Sequence, residues 1–245
     1  MTDDVGDVHV VSVGAMRVAD LAPVLVESGA EFTFVFDFAS SSFVRKPDGE
    51  FILLSVLDVA RAEGIDVVAS DSDNFVIHTT DLAPLFAAVD HYQVRLVGIH
   101  DPSRELSSQW VAGQDVDWST TRAVLPRFDD VAFFVDVHDD CFVHAEFFSE
   151  AVARAATARM LWFAVGTGLS EAVGEVEVRS PTPAEVDLVL GAEGRFVSSM
   201  TDTVIDNSTI SLPFTRAAWR MPATIVPTHT LKYHFDGSWE VGELR

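Results

Sequence analysis

Asp136, His144 and Glu146 form the sharpest candidate cluster for catalysis or metal binding in this sequence. His144 and Glu146 lie two positions apart in a run that reads as a β-strand, so both project from one side of it. Asp136 belongs to the preceding strand-like run and reaches the same side. A histidine and two carboxylates converging on a sheet face form a donor set for a divalent metal such as zinc or manganese, which would activate water for hydrolysis. The same trio can instead satisfy itself through a hydrogen bond between histidine and carboxylate on a half-buried face.

A β-hairpin carries all three residues. Residues 131 to 137 and 141 to 147 are rich in Val and Phe and flank three residues of turn character. A loop of His138, Asp139 and Asp140 places Val137 opposite Cys141, Val135 opposite Val143, Phe133 opposite Ala145 and Val131 opposite Phe147. One face is then wholly apolar, which strongly specifies register. The other carries Asp136, His144 and Glu146 beside Phe134 and Phe142. Cys141 falls on the apolar face, away from His144, so a thiol and imidazole nucleophile is disfavoured; a thiol in apolar surroundings is poorly reactive. His138, Asp139 and Asp140 form an exposed, charged loop tip suited to touching a partner, and Trp110 is a second candidate contact residue.

Ser149 offers an N-cap, with Glu150 in the first turn where the helix dipole favours a carboxylate. Val152, Ala156, Met160 and Phe163 then recur at helical spacing and predict a stripe that packs on the hairpin's apolar face, with Arg154 and Thr157 pointing away and Gly166 as the stop.

The chain has 245 residues, 48% of them hydrophobic, which is ample for a buried core. A net charge of -22 is its strongest compositional signal and opposes binding to nucleic acid and anionic membranes while favouring a cationic partner. An equally simple origin is a solvated acidic surface adapted to a salt-loving or high-GC organism. One cysteine excludes an intrachain disulfide, and no secretory leader or membrane-spanning run is evident, so a cytoplasmic location is expected. No nucleotide-binding, nucleophile-elbow or zinc-protease motif occurs, and no cofactor is expected.

Along the chain, strands are expected over 7 to 13 and 31 to 38, the latter with Phe32, Phe34, Phe36 and Phe38 on one face. Helices are expected over 20 to 28 with Asp20 as N-cap, over 54 to 63, and over 81 to 90. Hairpins are expected around Pro47-Asp48-Gly49, around residues 70 to 73, and around Asp236-Gly237-Ser238. Asp20-Leu21-Ala22-Pro23 and Asp81-Leu82-Ala83-Pro84 suggest either an internal duplication or simply good helix-start chemistry. Further elements are a helix over 118 to 125, a strand over 175 to 179 and a helix over 183 to 190 stopped by Gly191. Two organisations fit: α+β units over 1–100 and 115–245, the second with a β-rich end, or one closely packed domain.

Short connections between adjacent strands give antiparallel ladders. The expected class is therefore α+β, an antiparallel or mixed sheet built from hairpin-plus-helix units, with helices on one face and the other face or an edge left for binding. Charge and missing motifs point to a non-enzymatic acidic binding protein, of the kind that an immunity or inhibitor protein presents to a basic partner such as a toxin. The alternatives are the metal-dependent hydrolase and a structural, self-assembling protein forming homo-oligomers through its Phe-rich strands.

Overall fold

The computed structural model describes residues 8–14, 16–37, 42–45, 50–71, 74–89, 92–103, 130–138, 142–173, 178–198, 203–206, 208–216 and 226–244. Trp110, Asp139, Asp140, Cys141, the Pro47-Asp48-Gly49 turn and the helix expected over 118 to 125 lie outside the described residues.

Strands β1 (His9–Gly14), β2 (Phe32–Asp37), β5 (Val67–Asp71), β6 (Asn74–His78), β7 (Val94–Ile99), β8 (Val131–His138), β9 (Phe142–Phe147) and β10 (Arg195–Ser198) form one sheet in the order β10-β1-β9-β8-β7-β2-β6-β5. Every neighbouring pair is antiparallel except β1 and β10, so the sheet is mixed. A ribbon of β3 (Ser42–Arg45) and β4 (Phe51–Leu54) stands apart from it. A second sheet orders β11 (Val204–Ile205), β12 (Thr209–Phe214), β13 (His229–His234) and β14 (Trp239–Glu243). The two larger sheets are joined by the bridge between Val197 and Thr215. The class is α+β.

The hairpin-plus-helix unit recurs. β3 and β4 lead to helix α2 (Val56–Ala62), β5 and β6 to α3 (Leu82–Ala87), and β8 and β9 to α4 (Glu150–Val173). Local chemistry sets each helix start. Ser55 accepts from the Asp58 amide at 3.1 Å, and the buried Asp37 carboxylate reaches across from β2 to accept from Val56 N at 3.0 Å. Ser149 Oγ accepts from Val152 N at 3.4 Å.

Helix α5 (Pro183–Leu190) matches its predicted span. Thr182 and Glu185 form a reciprocal capping box, Pro183 opens the first turn, and Gly191 ends the helix at φ 60°. The strand expected over 175 to 179 is absent from its described residues, since 178–180 have no regular structure.

Helix α1 (Val18–Glu27) corrects one boundary. Arg17 holds the N-cap position and Asp20 is the third helical residue, so the Asp of the two similar tetrapeptides occupies different places in α1 and α3. The two helices nevertheless pack together. Arg17 donates to the carbonyls of Phe86 at 2.8 Å and Val89 at 3.0 Å, satisfying groups at the end of α3.

Helix α4 departs furthest from expectation. It runs through Gly166 to Val173 and contacts β1 and β9 below, α1 and α5 at its sides, and β12 of the second sheet. A helix with neighbours on most sides is apolar around most of its circumference. Ala153, Leu161, Ala164 and Val165 are accordingly buried as well as Val152, Ala156 and Met160, whereas Phe163 is only partly so. Thr157, expected to face solvent, is buried, its hydroxyl donating to the Ala153 carbonyl at 2.8 Å.

One core unites the helices with the facing side of the large sheet and with Ile210, Leu212, Phe214, Leu231, Tyr233 and Trp239 of the second sheet. The opposite side of the large sheet or a long edge was expected to be left for binding; of these, the opposite side is buried. Val8, Val10, Phe32, Phe36, Val76, Val97, Ile99, Val131 and Phe134 form a second buried cluster there. Burial on both faces explains why VRLVGI and VAFFVDVH read as near-continuous apolar runs rather than as alternating ones. Close packing also sets a glycine: a Cβ on Gly98 would stand 2.3 Å from the Phe133 ring. Among the described residues, no helix is long and apolar enough to cross a membrane.

Candidate functional site

The hairpin of β8 and β9 pairs Phe133 with Phe147, Val135 with Ala145 and Val137 with Val143, all six inside the main core. The faces are those expected. The partners are displaced by two residues, so that His138 pairs with Phe142 and the three intervening residues are Asp139, Asp140 and Cys141. A shift of two keeps every side chain on its own face, so the apolar pattern cannot distinguish the two arrangements. Charge does. The observed register sets Asp136 opposite His144, and β7 sets Arg95 opposite Asp136 on the far side. The slipped register would set Asp136 against Phe142 and His144 against Phe134.

Four ionisable groups therefore lie together on the second face. Arg95 Nε donates to Asp136 Oδ1 at 3.1 Å, and His144 Nε2 meets Glu146 Oε1 at 2.8 Å. An ionised carboxylate only accepts, so that contact assigns the ring proton to Nε2. All four side chains are buried, Glu146 completely, among Val10, Val97, Phe134 and Phe36. Removing Arg95 or Asp136 would take away the opposite charge that the other bonds inside the protein.

Asp136, His144 and Glu146 thus share a face as the spacing implied, but as members of two pairs rather than around one point. Asp136 is turned to a guanidinium, whose positive charge opposes a cation beside it. Among the described residues, no group of three or more His, Cys, Asp or Glu side chains is arranged to hold a metal ion. The chemistry on view is the mutual satisfaction of buried polar groups, one pair across β7 and β8 and one within β9. Arg95 was missed from the sequence, although a lone arginine within VRLVGI is the signal that would have found it, since a charge in an apolar strand needs a buried partner.

Of the expected contact residues, His138 closes β8, and Asp139, Asp140 and Trp110 fall outside the described residues. A groove of about 1240 Å³ lies elsewhere, between α1 and α4, with Asp20 and Glu27 on one wall and Arg159, Trp162 and Phe163 on the other. Arg159 lies 5.0 Å above the Trp162 ring and donates to the Asp20 carbonyl at 3.1 Å, while Trp162 Nε1 donates to the Val178 carbonyl at 3.0 Å. Both side chains are thus tied to backbone carbonyls, and among the described lining residues the cation Arg159 is held to a carbonyl and an aromatic face rather than to either carboxylate.

Comparison of the chain with protein-family models, with curated proteins and with solved structures gives no match. The class stands on the fold alone: an α+β protein with a mixed eight-stranded sheet, buried on both faces, and a smaller antiparallel sheet beside it.

Proposed function

We propose that this chain is a non-enzymatic binding protein whose acidic surface engages a basic protein, as an immunity or inhibitor protein engages a toxin. The observation that carries this reading is where the charge lies. The net charge is -22, and the fully or nearly buried acids Asp37, Asp136 and Glu146 are each engaged inside the protein. Glu27, Glu31, Asp58, Glu63, Asp187 and Glu243 are among the many acids left exposed. A surface field of that sign attracts a cationic partner from a distance and suppresses association with anionic ones.

The groove between α1 and α4 suits the contact, because Trp162 offers an amphipathic anchor and Asp20 and Glu27 supply charge beside it. The test starts from the protein captured by the tagged chain in its native cytoplasm. Its association rate is expected to fall steeply between about 50 mM and about 500 mM salt, a range over which the screening length shortens from about 14 Å to about 4 Å. Asp20→Asn with Glu27→Gln should slow association further. A rate indifferent to salt would remove the electrostatic basis of the proposal.

A further inference from the structure

The end of α5 is fastened to the second sheet by an arginine that also meets a histidine. Arg216 Nε donates to the Val189 carbonyl at 2.8 Å and Arg216 Nη2 to the Leu188 carbonyl, both in the last turn of α5, where carbonyls lack helical partners. The remaining arm, Nη1, lies 3.1 Å from His229 Nε2 on β13. A guanidinium has donors only, so His229 Nε2 must present a lone pair. The ring proton is then on Nδ1, which stands 2.8 Å from Thr228 Oγ1, and that hydroxyl donates onward to Thr215 Oγ1 at 3.3 Å. The Phe214 ring stacks on His229 at 5.2 Å and carries the Arg216 guanidinium at 5.7 Å. Every polar atom in this chain has a defined direction, and the direction requires a neutral imidazole.

We propose that Arg216 and His229 form a proton-operated fastening: the neutral imidazole holds Arg216 against the C-terminal turn of α5, and protonation of His229 releases that turn. A second proton would sit on Nε2, setting N–H against N–H and positive charge against positive charge. The charged groups facing the ring are Arg216 from the segment after β12, Glu243 opposite it on β14, and Glu193 in the turn after α5. Burial first, then Arg216, holds His229 below the ordinary imidazole value of 6.5, and the two glutamates offset this in part.

The released state therefore binds the extra proton. The fastening is complete above pH 6.5 and is lost as pH falls through that value towards the lower value of the folded ring. The other end of α5 is insensitive in this range. There Arg179 bonds Glu185 at 2.7 Å and the Gly237 carbonyl at 2.7 Å, and Glu185 does not protonate until about pH 2. Mild acid would thus free one end of the helix and leave the other tied.

Nitrogen NMR of the intact protein at pH 7.5 reads the tautomer directly and is expected to show His229 protonated on Nδ1. Amide exchange at Leu190 and Gly191, corrected for intrinsic rates, should quicken several-fold on acidification with the midpoint of the His229 titration. His229→Gln keeps an acceptor for Arg216 but cannot gain a proton, and its exchange at those amides should stay flat. A His229 protonated on Nε2 at neutral pH would overturn the proposal. So would wild-type exchange indifferent to pH, or an unchanged pH response in His229→Gln.

Discussion

Replacing Arg95 by methionine tests the claim that the buried Arg95 and Asp136 side chains depend on each other across β7 and β8. The Arg95 and Asp136 side chains are 5% and 7% exposed and 3.1 Å apart, so neither carboxylate nor guanidinium can turn to water when its partner is removed. Breaking a pair this deeply buried costs about 3–5 kcal/mol, against a total stability of about 5–15 kcal/mol for a folded domain. For a chain of this length each kcal/mol moves the melting temperature by about 2–4 °C, so Arg95→Met should lower it by about 6–20 °C. Asp136→Leu removes the carboxylate from beside the buried guanidinium and should cost a similar amount. The two losses sum to about 6–10 kcal/mol, yet the double variant removes both charges and should fall within about 2 kcal/mol of the wild type. Denaturant unfolding of all four proteins measures the cycle. Additive losses, or an Arg95→Met that costs under about 1 kcal/mol, would refute the reasoning, because either result means the charges do not depend on each other.

Two further outcomes follow from the packing. Gly98→Ala drives a methyl into the fully buried Phe133 ring and should destabilise by about 1–3 kcal/mol, whereas Gly166→Ala, whose new carbon meets nothing closer than 3.8 Å, should be neutral or stabilise α4 by about 0.5–1 kcal/mol in chemical denaturation. In acid, the Arg179 guanidinium, ahead of the Thr182 amide and hydroxyl, holds Glu185 at about 2, below its ordinary 4.5. Its contribution is complete above pH 4.5 and lost as pH falls towards 2, so Glu185→Gln should flatten the stability profile in that window. Thr182→Ala should cost about 0.5–2 kcal/mol at neutral pH through loss of the cap.

Local chemistry was legible in the chain. Thr182, Pro183, Glu185 and Gly191 determine where α5 begins and ends, because capping and the left-handed stop involve residues within one turn of each other. The two-residue period of a strand, read from the polar Asp136, His144 and Glu146, determines which side chains of the hairpin share a face, since strand periodicity needs no partner. Asp236, Gly237 and Ser238 determine the last hairpin in the same way, with Gly237 at φ 89° and the Ser238 amide bonded to the Asp236 carboxylate at 2.9 Å.

Contacts between segments far apart in the chain decided the rest. Slipping the β8–β9 pairing by two residues leaves the apolar face unchanged, so the two registers differ in the company of the polar residues: Asp136 faces His144 in the observed one and would face Phe142 in the other, while Arg95, 41 positions from Asp136 along the chain, reaches that carboxylate from β7. Helix α4 runs past Gly166 because α1, α5 and both larger sheets surround it, and burial of that extent outweighs the small helix penalty of one glycine. The second face of the large sheet is buried rather than open for the same kind of reason: a strand records its own pattern of side chains, and only the assembled protein determines what lies against each face.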